Sequence, residues 1–335
     1  MMIKKLTIGH LSLIYKNATK DINKFIWIAH IKCIGDKKRK NHYYEPVCPY
    51  SFCYQIAIMF YMSHTLAILT VVYRNYTTLK DFFESLSHQT SMNFHVYIYD
   101  GSPEKKSIDL PPYAECLQGE NKGYAHGIEE IYAQAQKKYD HIAVVNSDIV
   151  FASNFVENTI QSLLKNPNAL IGGKIYYAPG YEYHSARYHK KDLGHVLWYA
   201  GGHIDWDNAL AKHRGVDAVD TGQYSTMQTT SFITGCLMCY TKQTASLLGG
   251  WDTKYTMYFE DADYCARALR RNITLIYDPS IIIWHKNAQS TGGSGSRSQE
   301  KFMNKSRLLF GLRYAPFKTK IHLLKNEVLR YLRFS

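Results

Sequence analysis

Short apolar runs alternate with amphipathic stretches along the chain from residue 66 onward. Runs such as "LAILTVV" (66–72), "FHVYIYD" (94–100) and "HIAVV" (141–145) have the length of buried strands. Between them, residues 79–86 and 128–135 carry apolar side chains at helical spacing. Strands and helices that alternate in this way predict βαβ units. The expected fold is therefore α/β, with a Rossmann-like, mostly parallel sheet flanked by helices.

Two of the predicted strands end in carboxylates. Asp100 closes the second strand, and Asp148 interrupts an apolar run in "VVNSDIVF" (144–151). Because burying an unpaired carboxylate costs several kcal/mol, Asp148 needs a partner. Ligands of parallel α/β sheets bind beyond the carboxyl ends of the strands, so we expect both residues at a binding crevice. There Asp148 suits a Mg²⁺ or Mn²⁺ ion that also binds phosphate oxygens. The alternatives are turn capping by Asp100 and helix capping by Asp148.

The segment "GGWDTKYTMYFEDADYCARALRR" (249–271) brings three carboxylates to the start of a predicted helix. Trp251 and the aromatic residues after it supply a wall, and Glu260, Asp261 and Asp263 follow within four residues. Carboxylates that crowd in this way raise each other's pKa, which can tune one of them as a general base. The alternative is ordinary N-capping of an amphipathic helix.

A further buried strand, "IIIW", is followed by His285 and a Gly/Ser-rich stretch, "STGGSGSRS". His285 is a candidate metal or phosphate ligand at the strand end. The Gly/Ser-rich stretch could close over a diphosphate through its backbone N–H groups and Arg297. A plain flexible linker is the alternative.

The net charge of +12 resides at the two ends of the chain. Residues 1–61 contain 10 Lys/Arg and 3 Asp/Glu, residues 301–335 contain 9 and 1, and the middle of the chain is net −3. The body is therefore not expected to bind nucleic acid. We predict an N-terminal extension of uncertain order over residues 1–61, with the native domain starting near Met62.

The C-terminal residues 301–335 are predicted to form a basic amphipathic helical tail. Ile321, Leu324, Val328 and Leu332 share roughly one helical face. Such a helix could lie on an anionic membrane surface or dock on its own domain. No run of about 18 apolar residues predicts a transmembrane helix, and no signal peptide is recognisable. We therefore expect a cytoplasmic protein that can contact the inner face of the plasma membrane through this tail.

The motifs, in this order, resemble the family 2 glycosyltransferases of the GT-A fold, especially bacterial rhamnosyltransferase-like members. The resemblance covers about residues 65–300, so a glycosyltransferase domain is expected over residues 62–300. It rests on the following segments, none of which is specific alone: "TVVYRNYTTLKDFFESLSHQT", "VYIYDGSP", "NKGYAHGIEE", "VVNSDIVF", "GGWDTKYTMYFEDADYCARAL" and "WHKNAQSTGG".

The resemblance implies a nucleotide-binding role for one group of residues. Asp100 is similar to the aspartate that reads the nucleotide base, and Tyr73 lies by the same pocket. Asn121 and Gly123 match the family's N-x-G near the nucleotide. Arg297 is expected at the diphosphate of the donor.

The resemblance also implies roles in metal binding and catalysis. Asp148 matches the last acid of the family's DxD motif, whereas Asn146 replaces the first acid. A divalent cation would then be bound by Asp148, the donor phosphates and His285. The missing first acid puts a strict need for the metal in question. Asp261 matches the general base, with Glu260 in support.

For the acceptor side, the resemblance implies contacts through Trp251 and Asp263. The implied function is transfer of a sugar such as rhamnose, with inversion, from a dTDP- or UDP-sugar to a growing surface polysaccharide, such as lipopolysaccharide O-antigen, or another lipid-linked glycan. Two alternatives are a sugar nucleotidyltransferase and a non-catalytic carbohydrate-binding protein. The first would need a Gly-rich basic loop after the first strand, and "VVYRNYTTLKD" contains none.

Overall fold

The computed structural model describes residues 65–287 and 297–334. The predicted extension over residues 1–61 lies outside the described residues. The strands, in chain order, are β1 Leu66–Val72, β2 Phe94–Asp100, β3 Ala114–Gln118, β4 His141–Asn146, β5 Ile149–Phe151, β6 Ala169–Tyr177, β7 Leu197–Tyr199, β8 Gly202–Asp205, β9 Leu210–His213, β10 Gln228–Thr229, β11 Leu237–Thr241 and β12 Thr274–His285. The helices are α1 Leu79–Ser87, α2 Tyr124–Ala135, α3 Phe155–Lys165, α4 Lys242–Leu248, α5 Glu260–Arg270, α6 Arg297–Tyr314 and α7 Phe317–Phe334.

Ten of these twelve strands form one large sheet, whose main path has the order β10-β12-β6-β11-β4-β1-β2-β3, and β8 and β9 form a separate two-stranded sheet. The pairs β4–β1, β1–β2, β2–β3 and β12–β6 are parallel, whereas β11 runs antiparallel to both β4 and β6. Two short strands join the sheet off this path, because β5 pairs with β12 and β7 pairs with β6. Helices flank the sheet, and α6 and α7 follow it. This confirms the predicted mostly parallel α/β fold with a C-terminal helical segment.

The central strands are buried on both faces. The exposed fraction of every side chain from Ile142 to Val145 is 0%, and the same holds for residues 66–69 of β1. Strands covered on both faces by helices become continuous apolar runs rather than alternating ones. This explains why "LAILTVV" and "HIAVV" are so uniformly apolar.

The strand register places the predicted polar residues at one edge of the sheet. Val72 of β1 pairs with Asp100 of β2, and Val71 pairs with Asn146 of β4. β5 then turns back to pair with the end of β12, so that Ile149 lies opposite His285. Because these parallel strands end together, the sheet delivers Asp100, Asn146, Asp148 and His285 to its carboxyl edge, as predicted.

Candidate active site

A buried carboxylate–imidazole pair lies at the carboxyl ends of β4 and β12. Asp148 and His285 are 3% and 4% exposed, and Asp148 Oδ1 lies 3.2 Å from His285 Nε2. The Asn146 side-chain amide lies 3.5 Å from the same ring nitrogen. The backbone N–H of Lys286 donates to the Asp148 carbonyl oxygen, which fixes the turn after β4 to the end of β12. Asp148 thus has the partner that its burial requires.

The His285 ring is held from its other side by Trp198 in β7, with ring centroids 4.6 Å apart in an edge-to-face arrangement. Trp198 also contacts His213 edge to face at 4.4 Å. Burial lowers the pKa of His213 to about 4, so this second imidazole is neutral at pH 7. Within the described residues, His285 Nδ1 is buried without a hydrogen-bond partner.

A second cluster of carboxylates lies at the first turn of α5. The backbone N–H of Gly235 donates to Asp261 Oδ2 at 2.8 Å, and that of Ala262 donates to Asp261 Oδ1 at 2.8 Å. Tyr258 and Phe259, directly before α5, have φ of 66° and 67°. Left-handed backbone at two consecutive non-glycine residues is strained, and such strain is retained mainly at functional sites.

Burial and mutual repulsion separate the roles of the two neighbouring carboxylates. Burial, together with the charge of Asp261, raises the pKa of Glu260 to about 8. Burial also raises the pKa of Asp261, and the N–H groups of Gly235 and Ala262 oppose that rise by stabilising the charged form. Glu260 Oε2 has no hydrogen-bond partner among the described residues. Of these two carboxylates, Asp261 is therefore the one whose charged form is stabilised by hydrogen-bond donors.

Tyr124, the first residue of α2, contacts the residue that binds Asp261. Its hydroxyl donates to the carbonyl oxygen of Gly235 at 3.2 Å. Burial raises the pKa of Tyr124 well above its ordinary value, and the charges of Glu260, Asp261 and Asp148 raise it further. The backbone N–H of Asn146, at the end of β4, donates at 3.3 Å to the carbonyl oxygen of Cys236, which directly follows Gly235. The structure brings Asp148, His285, Glu260 and Asp261 into one site.

Asp100 lies at the end of β2 with both carboxylate oxygens engaged. Tyr76 Oη donates to Oδ2 at 2.9 Å, and the backbone N–H of Ser102 donates to Oδ1 at 2.9 Å. The Ser102 bond is the turn-capping contact that the sequence allowed. Lys105 Nζ donates to the carbonyl oxygens of Asp100 and Gly119 at 2.6 and 2.8 Å, which places a cation beside this strand end.

Tyr73 belongs to the loop that follows β1. The Arg74 guanidinium lies 5.1 Å from the centre of the Tyr73 ring, and the Arg74 backbone N–H donates to Ser102 Oγ at 2.7 Å. That bond joins the loop after β1 to the turn after β2, so Tyr73 and Asp100 lie on connected loops.

Asn121 and Gly123 shape the start of α2. Asn121 is exposed, and its Oδ1 accepts from the Gly123 backbone N–H at 3.1 Å. Gly123 has φ of 109°, and a Cβ there would lie 2.5 Å from the Thr256 carbonyl oxygen. Only glycine therefore fits, and the close approach lets Tyr124 N–H donate to the same Thr256 oxygen at 3.1 Å. The turn at Asn121–Gly123 is thus tied to the loop that leads into α5.

Trp251 and Asp263 are both enclosed in the interior. The Trp251 indole is 4% exposed, stacks on Tyr264 and donates from Nε1 to Tyr240 Oη at 3.2 Å. The Asp263 side chain is fully buried and accepts from Arg267 at 2.8 Å, Tyr314 at 2.7 Å and Arg313 at 3.2 Å. These contacts give both residues a packing role, and their predicted contact with an acceptor stays a prediction.

Arg297 is the first residue of α6, and its side chain lies outside the described residues, as does the preceding Gly/Ser-rich stretch up to residue 296. Its predicted contact with a diphosphate stays a prediction.

Several residues of the site were not found from the sequence: Tyr76, Lys105, Tyr124, Trp198 and Gly235. The clearest available signal for Gly235 was "FITGCL" (232–237), where a glycine lies two residues before the strand β11. Tyr124 sits inside the quoted "NKGYAHG", but nothing local indicates a contact with a residue 111 positions away. Such contacts depend on the sheet order, which the sequence pattern does not specify.

The residues at the Asp148 cluster fit a divalent cation in part. Neighbouring ligands of an octahedral ion with bonds of about 2.1 Å lie roughly 3 Å apart. Asp148 Oδ1 and His285 Nε2 are 3.2 Å apart, so these two side chains could bind one ion together in place of their direct contact. No group of three or more His, Cys, Asp or Glu side chains that could hold a metal occurs in the part of the chain that the structure describes. The remaining ligands would have to come from a substrate or water.

Comparisons with known proteins place the chain among sugar-transferring enzymes. Residues 67–210 match the family described as glycosyl transferase family 2. An N-acetylglucosaminyl-diphospho-decaprenol L-rhamnosyltransferase of Mycobacterium tuberculosis, found in strains H37Rv and CDC 1551, is 23% identical over 250 residues. That match covers 69% of this chain and 79% of the relative.

Among solved structures, the crystal structure of GalNAc-T7 with UDP, GalNAc and Mn²⁺ resembles this chain with a TM-score of 0.55 at 13% sequence identity. The match covers 73% of this chain and 47% of the other, so this chain spans about half the length of that protein. At this identity the likeness shows a shared fold. The family match ends at residue 210 in β9, so it includes Asp100 and Asp148 but neither Asp261 nor His285.

Proposed function

Because this chain is a glycosyltransferase of the GT-A fold with a family 2 domain, we propose that it transfers a sugar, with inversion, from a nucleoside-diphosphate donor to an acceptor hydroxyl. The observation that carries this proposal is the carboxylate pair at the start of α5. The Asp261 carboxylate lies there between two N–H donors, and the backbone N–H of Asn146 at the end of β4 donates to the carbonyl oxygen of Cys236, the residue after Gly235. The site thus has a base on one side and a phosphate-binding group on the other.

Asp261 would act as the general base. Each of its oxygens already accepts one backbone hydrogen bond, which leaves a further lone pair for the acceptor hydroxyl. As Asp261 takes the hydroxyl proton, the oxygen bonds to the anomeric carbon and the bond from that carbon to the diphosphate oxygen breaks. Attack opposite the leaving group inverts the configuration. The raised pKa of Asp261 brings its basicity closer to that needed at neutral pH.

The opposite side of the site would receive the donor. Asp100 and Tyr73 would contact the nucleoside, and the turn at Asn121 and Gly123 would lie near its phosphates. Asp148 and His285 would hold a Mg²⁺ or Mn²⁺ ion, whose charge offsets that of the departing diphosphate. Because Asn146 stands where the DxD motif has its first acid, the chain would supply one carboxylate fewer to this ion.

For the substrates, we propose a deoxyhexose donor such as dTDP-rhamnose and an acceptor that is a lipid-linked glycan. The support is the likeness to the mycobacterial rhamnosyltransferase, whose name describes a decaprenol-diphosphate acceptor. A growing surface polysaccharide on a lipid carrier fits this class.

The test is a donor screen that follows the release of nucleoside diphosphate from dTDP- and UDP-sugars, with and without Mg²⁺ or Mn²⁺. The acceptor is an N-acetylglucosaminyl diphospholipid. Asp261→Asn keeps the side-chain volume and should lower turnover by about 100-fold or more, because loss of a positioned base has effects of that size. Donor affinity should stay near that of the wild type. Asp140→Asn is the control, since this exposed aspartate precedes β4 at the opposite end of the strand.

Three outcomes would contradict parts of this proposal. Turnover by Asp261→Asn equal to that of the wild type would remove Asp261 as the base. Failure to bind or cleave any nucleotide sugar would favour a non-catalytic carbohydrate-binding protein. Release of pyrophosphate from a nucleoside triphosphate and a sugar phosphate would favour a sugar nucleotidyltransferase.

A further inference from the structure

Within the part of the chain that the structure describes, the C-terminal helix α7 is attached to its neighbours mainly through its first half. Thr319 Oγ1 donates to the Asp207 carbonyl oxygen at 2.8 Å, and Leu323 packs against Gly311 of α6. These two side chains are 6% and 7% exposed. From Leu324 onward, α7 has no buried side chain among those that the structure describes. Helices in water depend on packing of an apolar face, so this second half lacks the support that packing gives.

The exposed surface of α7 carries a continuous apolar stripe. The five side chains that form this stripe are 48% to 78% exposed, and they are Phe317, Ile321, Leu324, Val328 and Leu332. At 100° per residue they span an arc of roughly 80°, well away from the buried Thr319 and Leu323. We call these five residues the α7 stripe. The amphipathic face predicted from the sequence is thus directed to solvent rather than docked on its own domain.

Basic side chains border the α7 stripe. Lys318 and Lys325 lie within roughly 40° of Leu332 on one side, and Lys320 lies within roughly 40° of Leu324 on the other. Glu327 is the one acidic residue of residues 301–335, which carry a net charge of +8. Glu327 is paired with Arg330 at 2.7 Å, so its charge is locally offset. An apolar stripe bordered by lysines has the layout of a helix that lies in a membrane interface.

We propose that the α7 stripe docks this protein on an anionic lipid bilayer, with the apolar residues entering the headgroup region and the lysines contacting acidic lipids. The charge favours this occupant over a second copy of the chain. Two stripes that met face to face would bring their lysine borders together and leave those charges without acidic partners. No helix among the described residues is long and apolar enough to cross a membrane, so the contact would be peripheral.

The test is co-sedimentation of the full chain with vesicles of phosphatidylcholine alone and of phosphatidylcholine with phosphatidylglycerol in equal parts. The variant Leu324→Gln/Val328→Gln makes the stripe polar without changing the net charge. Its matched control, His322→Gln/Asn326→Gln, places the same residue at the same spacing on another exposed side of α7. We expect the wild type to bind the acidic vesicles, more weakly at high salt. The stripe variant should bind at least about tenfold more weakly, and the control within about twofold of the wild type.

Two results would overturn the proposal. One is absence of binding to acidic vesicles by the wild type, and the other is equal binding by the stripe variant and the control. Loss of a concentration-dependent dimer in the stripe variant, together with no vesicle binding, would assign the stripe to a second copy. Thermal unfolding of both variants checks that the fold is intact. Because the vesicles contain no glycan, this test does not depend on the proposed catalytic function.

Discussion

Replacing Glu260 by Gln should stabilise the protein at alkaline pH, although it alters a residue of the candidate site. The Glu260 side chain is 8% exposed, and its Oε2 lacks a hydrogen-bond partner within the described residues. Burial and the neighbouring charge of Asp261 raise its pKa to about 8. A buried carboxyl group of this kind is kept in its neutral form by the fold. Gln keeps the size and removes the ionisation.

The magnitude follows from the difference between folded and unfolded pKa. The unfolded chain releases the Glu260 proton above pH 4.5, whereas the folded protein keeps it up to about pH 8. The folded state therefore binds more protons, and stability falls as pH rises through this window. At 1.36 kcal/mol per pKa unit, the raised pKa of Glu260 lowers the free energy of unfolding by about 1 kcal/mol at pH 5 and by about 4 kcal/mol at pH 8. Glu260→Gln should therefore gain about 3 kcal/mol over the wild type between these two pH values.

Urea unfolding of the two proteins at pH 5 and pH 8 measures this difference directly. Glu84→Gln is the control, because Glu84 is exposed in α1 and its variant should follow the wild type at both pH values. A Glu260→Gln advantage that does not change with pH would show that Glu260 ionises normally in the folded state. Lower stability of Glu260→Gln at pH 8 would show that its carboxylate has a partner that the fold requires.

Two further predictions concern the other buried carboxylate sites. Asp263→Asn should lower the free energy of unfolding by about 3 kcal/mol in urea titrations, because Arg267 and Arg313 would lose a buried charge partner; an unchanged midpoint would contradict this role. His285→Ala should weaken Mn²⁺-dependent binding of a nucleoside diphosphate by about tenfold or more in calorimetry. In the presence of a chelator, His285→Ala and the wild type should bind the nucleoside diphosphate about equally. An equal loss of affinity with Mn²⁺ and with the chelator would mean that His285 contacts the nucleotide rather than the ion.

The positions of Asp100 and Asp148 could be predicted from the sequence because each follows a long apolar run. A run of five to seven buried residues fixes where a strand ends, and parallel strands bring their ends to one edge. No comparable signal marked the segment from residue 178 to residue 236. Its strands β7 to β10 have two to four residues each, which is too short for a period to be recognised. Trp198, which contacts His285, and His213, which contacts Trp198, lie in this segment.

Helix geometry separates Asp263 from the carboxylates with which the sequence analysis grouped it. Glu260, Asp261 and Asp263 are close along the chain, but Asp263 lies roughly 200° around the helix from Asp261. The two aspartates therefore project from nearly opposite sides of the same turn. Asp261 meets Gly235, whereas Asp263 meets Arg313 and Tyr314 of α6. A count of acidic residues cannot separate these environments, because the sequence does not show which side of α5 is covered by a helix 50 residues later.

Helix α6 also explains how the strained start of α5 is held. Ser306 Oγ of α6 donates to the Met257 carbonyl oxygen at 2.8 Å, directly before the two left-handed residues Tyr258 and Phe259. Directly after them, Arg313 and Tyr314 bind Asp263 in the first turn of α5. Strain of this kind persists only where the surroundings fix the backbone on both sides, and α6 provides both attachments. The C-terminal helices therefore do more than follow the domain, since the first of them fixes the turn that presents Asp261.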